Sequence, residues 1–167
     1  MTLPFAALGA MIAALIETTV LPELTIAGAQ PDLVFTLAVV ATMLLSTEDG
    51  LVWAFVGGLL IDLLVPARPI GATTFSLLLV VGMAAIASRV VGRAHRWPAV
   101  VAVFILTWAY QPILLATLVF SEGIAFGAFD PQLVLVSSVL NALIAIPAVL
   151  VIVALQRRFG TTERADW

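Results

Sequence analysis

The sequence predicts an all-α integral membrane protein, a compact bundle of six transmembrane helices. Three observations carry that reading. Of 167 residues 63% are hydrophobic and only 10% charged, with a mean hydropathy of +1.21, whereas soluble domains carry about a quarter charged residues. Apolar runs close to the roughly 20 residues that cross a bilayer recur along the chain, punctuated by proline, glycine and charge. Six of the seven basic residues, all arginine, gather on one side of the implied topology. No hydrophilic stretch is long enough for a soluble domain, so residues 1–167 read as a single membrane domain.

The six segments are approximately 3–21, 31–46, 50–65, 70–88, 98–120 and 131–155. The first ends at Pro22-Glu23. It reads as a retained helix rather than a cleaved signal, because no positive charge precedes it and Glu17, Pro22 and Glu23 separate the apolar run from Ala27-Gly28-Ala29. The second opens at Pro31-Asp32. At about 16 residues and about 1.5 Å each it covers roughly 24 Å, which leaves open a topology of five spans with this segment re-entrant. The third starts at Gly50 after the Thr47-Glu48-Asp49 turn and stops before Pro66. The fourth contains the small-residue run Gly82 to Ser88. The fifth and sixth start at Pro98 and Pro131, prolines placed where a missing N–H is harmless. Asp32 and Asp130 sit where the helix dipole favours an acid.

Arg89, Arg93 and Arg96 lie between segments four and five, and Arg157, Arg158 and Arg164 follow segment six. Two intervening spans return them to the same side, which is cytoplasmic by the positive-inside rule. Six spans then place both termini inside. The inner side carries +2 and the outer side −5, which reproduces the net −3. Arg89, Arg93, Arg96, Arg157 and Arg158 suit anionic lipid headgroups better than nucleic acid. Trp53 and Trp97, near inner ends, suit an interfacial belt.

Chemistry-bearing residues are few. Asp62 follows Gly58 by four residues and shares its helical face, so it faces a closely approaching neighbour helix rather than lipid. The reading favoured is a structural hydrogen-bond anchor, paired with Arg68. The sharper one is an ion or proton site with Glu17, although Glu17 falls at the outer boundary, where water would solvate it. Gln111 beside Pro112, and Asn141 before Pro147, are the other deep polar groups. They serve helix packing or, with Trp108, line a small-molecule cavity. One histidine and no cysteine leave no metal cluster of ligand spacing and no serine–histidine–aspartate arrangement. An enzyme, a metal and a cofactor are not expected.

Pro31-Asp32-Leu33 opening a helix, Gly50 after a polar turn, and Gly57-Gly58-Leu59-Leu60-Ile61-Asp62-Leu63-Leu64 followed by Pro69-Ile70-Gly71 together resemble the MreD family of the bacterial rod-shape machinery. At this level the chain is also similar to the substrate-binding subunits of energy-coupling-factor transporters. The Thr47-Glu48-Asp49 turn departs from the more basic turn of typical MreD proteins. Resemblance to MreD implies a non-enzymatic scaffold in the bacterial cytoplasmic membrane. Such a scaffold binds MreC and joins RodA, a class B penicillin-binding protein and MreB in an elongation complex that directs side-wall peptidoglycan synthesis and cell shape. It also implies that Pro31, Asp32, Gly57, Gly58, Asp62 and Gly71 shape the bundle and its interface. The alternative functions are a substrate-binding transport subunit and a proton- or ion-coupled carrier using Glu17 and Asp62.

Overall fold

The computed structural model describes residues 3–66, 69–91, 97–122 and 129–159, and these form six helices in chain order. Helix α1 is Leu3–Thr19, followed by a single 3-10 turn, Leu21–Glu23. Helix α2 is Leu33–Leu44 and α4 is Ala72–Val91. Helix α5 is Trp97–Glu122 and α6 is Pro131–Phe159. Helix α3, residues 47–64, is a composite: α-helical over Thr47–Val52, π-helical over Trp53–Gly57 and α-helical again over Gly58–Leu64. The described residues contain no named strand. Four stretches are long and apolar enough to cross a membrane: Leu3–Glu23, Ala72–Val90, Trp97–Ser121 and Pro131–Ala154.

Helix α2 organises the bundle. Its 12 residues cover about 18 Å, well short of a hydrocarbon core of about 30 Å. It touches all five other helices, and every residue from Val34 to Met43 except Leu37 is buried. A helix so surrounded has its backbone and side chains packed against protein along nearly its whole length. Phe35 of α2 stacks on Tyr110 of α5 with ring centroids 4.8 Å apart and planes 23° apart. Val39, Val40, Leu77, Val80, Val81 and Val103 complete the centre of the core.

Helix α3 begins at Thr47, three residues ahead of the expected Gly50. The sequence Ser46-Thr47-Glu48-Asp49 has the pattern of a capping box, an N-cap hydroxyl followed three residues on by an acid, and here the acid bonds that hydroxyl. The Asp49 N–H donates to Ser46 Oγ at 3.0 Å, and Ser46 Oγ donates to Asp49 Oδ2 at 2.9 Å. The acidic turn is thus the first turn of a helix, and Asp49 is buried. Between α1 and α2 the chain reverses through Ala27 (φ 52°) and Gly28 (φ 80°). The turn is clasped by reciprocal bonds of 2.9 and 3.0 Å between Ile26 and Ala29. Two consecutive left-handed residues are the mark of a type I′ turn.

Candidate functional site

Two helix N-termini in this bundle are met by polar side chains of other helices. Every α-helix leaves its first N–H groups without an intrahelical acceptor, and in lipid no water supplies one. The chain answers this with side chains borrowed from neighbouring helices.

At the start of α4 the acceptor is Asp62, from the last turn of α3, with 3% of its surface exposed. Its Oδ2 accepts from the Gly71 N–H at 3.0 Å, the Thr74 N–H at 3.1 Å and the Thr74 hydroxyl at 2.8 Å. Its Oδ1 accepts from the Thr73 N–H at 2.9 Å. The remaining N–H of the turn, that of Ala72, donates to the Pro69 carbonyl at 3.2 Å. One carboxylate therefore closes the N-terminus of the next helix. A negative group there is also favoured by the helix dipole.

The backbone is shaped to permit this. Gly71 has φ +99°, and a Cβ at that position would meet no atom within 4 Å, so its glycine is needed for conformation alone. Gly58, one turn before Asp62, is needed for space: a Cβ there would lie 2.7 Å from Thr74 Cα. Gly57 and Gly50 serve the opposite contact. A Cβ on Gly57 would collide with Val34, and one on Gly50 with the Thr42 hydroxyl, both on α2. Adjacent positions 57 and 58 thus face two different helices, at the end of the π-helical stretch. An extra residue in such a turn resets which side chains face which neighbour.

At the start of α2 the acceptors come from α1 and α6. The Val34 N–H donates to Glu17 Oε2 at 2.7 Å, and the Asp32 N–H donates to Asn141 Oδ1 at 2.7 Å. Asn141 is fully buried. Its Nδ2 donates to Thr107 Oγ1 at 3.3 Å, and that hydroxyl donates to the Val103 carbonyl at 2.8 Å. One amide therefore joins α2, α5 and α6. Asp32 is the N-cap residue, with Pro31 half-buried ahead of it. At the other end of α2, Gln156 Nε2 of α6 donates to the Leu44 carbonyl at 3.1 Å.

Several sequence readings change here. Glu17 is half-buried and holds α2, rather than resting in water at the boundary. The signal for it was its place one turn before the end of an apolar helix, opposite the Pro31-Asp32 helix start. Trp53 lies half-buried with its indole over Gly9 of α1, where a Cβ would approach Trp53 Cζ2 to 2.8 Å. Asn141, Gln111 and Trp108 do not share a cavity: Asn141 is consumed in the core, and Trp108 is 39% exposed. Gln111 is half-buried and lines a different cavity, of about 260 Å³, between α5 and α6. Leu114, Leu118 and Leu133 form part of its walls, and Asp130 and Ser137 are its other polar lining. Arg68, the partner expected for Asp62, lies outside the described residues, as do Arg93 and Arg96. Arg89 is exposed in the last turn of α4. Arg157 and Arg158 belong to the last turns of α6.

Among the described residues no group of three or more His, Cys, Asp or Glu side chains is placed to hold a metal ion. The arrangement is architectural: acids and an amide fix helix ends, and glycines set the distances between helices. No curated protein and no solved structure matches the chain. The family model described as rod shape-determining protein MreD matches residues 2–159, a stretch that contains both capped helix starts and the glycines between them. The chain therefore belongs to the MreD family and, with it, to the determination of rod shape.

Proposed function

We propose that this protein is a non-enzymatic scaffold of the bacterial elongation complex, a six-span protein of the cytoplasmic membrane with both termini inside, formed as one membrane domain. It binds MreC and, through that contact, helps hold RodA, a class B penicillin-binding protein and MreB filaments together for side-wall peptidoglycan synthesis. Docking occurs between apolar helix faces within the bilayer. Arg89, Arg93, Arg96, Arg157 and Arg158 sit against anionic headgroups of the inner leaflet.

The observation that carries this reading is the family match over residues 2–159. The geometry of Asp62 supports it: both carboxylate oxygens accept hydrogen bonds from the start of α4, which is the work of a fastener. The exposed apolar faces of α1 and α4, among them Phe5, Leu8, Phe75, Leu79 and Ile86, offer lipid or a partner helix broad contact. In membranes such contact is governed by close packing rather than by water exclusion.

The test is purification of the tagged protein from its own cells in a gentle detergent, with mass spectrometry of what accompanies it. Recovery of MreC and the wall synthases is the expected outcome. Recovery of paired cytoplasmic ATPases instead would make the protein a transporter's substrate-binding subunit and overturn the scaffold reading.

A further inference from the structure

Gln111 is a polar group that the capping scheme leaves unused. The apolar stretch of α5 is Trp97–Ser121, and Gln111 lies about 21 Å from the first of these residues and about 15 Å from the last. It therefore sits near the middle of the membrane. An amide offers two donors and an acceptor, yet among the described residues the Gln111 side chain makes no hydrogen bond. The next residue, Pro112, has no N–H for the Trp108 carbonyl one turn back. At this depth lipid offers only hydrocarbon, where a polar group without a partner is costly. The oxygens of a lipid headgroup lie near the ends of the stretch, out of reach of Gln111.

Gln111 lines the cavity of about 260 Å³ between α5 and α6. That space admits side chains but not a whole helix, whose diameter is about 10–12 Å. The two helices run antiparallel, so the cavity is ordered from the end where α5 stops and α6 starts. Asp130 stands at the mouth, Leu118, Leu133 and Leu114 follow, and Ser137 and Gln111 lie deepest. Asp130 is exposed, accepts from the Gln132 N–H at 2.9 Å, and among the described residues has no ion pair. Ser137 is about 10 Å from Asp130 along α6, and Gln111 about 15 Å from the end of the apolar stretch along α5. An anion, an apolar stretch and then an amide are the complement of one transmembrane helix. Such a helix carries a basic residue at its end and an amide or hydroxyl side chain about seven to ten residues inward. Water fits less well, since each molecule needs about two to four polar partners and the leucines supply none.

We propose that the seam between α5 and α6 is the docking site for a partner transmembrane helix of that chemistry. The helix lies along the seam and inserts side chains into the cavity. Its amide or hydroxyl pairs with Gln111, its apolar residues pack on Leu114, Leu118 and Leu133, and its basic end meets Asp130. The inference deepens the scaffold reading and rests on it, because it gives the partner helix its place.

The experiment places the full-length protein in bicelles with a synthetic polyleucine helix of about 21 residues. The peptide carries lysine at one end and asparagine about eight residues inward. The chain has no cysteine, so a fluorophore on Phe120→Cys, exposed near the end of α5, reports binding by energy transfer from the labelled peptide. Wild type is expected to bind this peptide about threefold to thirtyfold more tightly than one with leucine in place of the asparagine, the range for one hydrogen bond between helices in lipid. Gln111→Leu removes no hydrogen bond within the described chain, so it should fold and bind both peptides equally. If it does not fold, Gln111→Met takes its place. Asp130→Asn keeps a good helix cap and should weaken binding of the lysine peptide about twofold to fivefold while leaving the asparagine preference intact. Glu23→Gln, at an exposed acid of the 3-10 turn, should change neither. Equal binding of the two peptides by wild type, or a preference for asparagine that survives Gln111→Leu, overturns the proposal and leaves Gln111 to water. Absence of peptide binding, or unchanged binding in Asp130→Asn, overturns it as well. None of these failures touches the co-purification test: partners recovered there without a preference here would dock on another face.

Discussion

Replacing Asp62 with asparagine isolates the fastening between α3 and α4. The side chains are nearly isosteric, so packing is preserved and only the acceptors change. Oδ2 receives three donors and Oδ1 one. The amide will place its oxygen at the Oδ2 position and keep three of the four bonds. Its NH₂ group then points a donor at the Thr73 N–H, which loses its acceptor at a site with 0% exposure. A lost hydrogen bond to a charged group is worth about 1.5–3 kcal/mol. Removing the charge from the start of α4 adds about 0.3–1 kcal/mol. The expected destabilisation is thus about 2–4 kcal/mol. Asp62→Ala strands three N–H groups together and should exceed about 4 kcal/mol, at about 1–3 kcal/mol each. The assay is reversible unfolding in bicelles, with Thr74→Val as the companion. That change removes only the hydroxyl bond, so it should cost about 1 kcal/mol and be non-additive with Asp62→Asn. An Asp62→Asn protein within about 0.5 kcal/mol of wild type, the range of inconsequential surface changes, would refute the capping argument.

Gly58→Ala gains helix propensity of about 1 kcal/mol but drives a methyl towards Thr74 Cα, 2.7 Å away; overpacking costs of about 1–3 kcal/mol should prevail, and unfolding in bicelles should show a net loss. Gly71→Ala meets no atom, so its penalty should be the left-handed backbone alone, about 1–2 kcal/mol, and Gly71→Asn should recover part of it in the same assay. Asn141→Leu keeps the branched shape but removes the acceptor of the Asp32 N–H and the donor to the Thr107 hydroxyl, which keeps its bond to the Val103 carbonyl; a loss of about 1–3 kcal/mol and faster hydrogen exchange at the start of α2 are expected. Ala27→Gly relieves a left-handed alanine (φ 52°) and should raise the melting temperature slightly, whereas a fall would contradict the turn assignment.

Hydropathy revealed all six apolar segments, because lipid demands an apolar surface wherever a helix meets it. The Asp62 to Gly58 spacing likewise disclosed a close helix contact, since residues four apart share a face. Other features were not legible. Glu17 looks like any boundary acid until α2 is set beside it. The capping box at Ser46 was written in the sequence, but the acidic turn read more simply as a loop. The burial of α2 depends on five neighbours whose positions no local pattern encodes.

The sequence by itself determined that this chain lives in lipid, that it is helical, and to which family it belongs. Each of these follows from composition, from the period of the helix, or from a short run of glycines and one acid. Only the tertiary structure decided what the buried polar groups do. An orphan N–H needs an acceptor but does not specify which, and the acceptors that answer it come from 9 to 109 positions away along the chain. Separations like that become contacts only when helices pack, at distances set by Gly57 and Gly58.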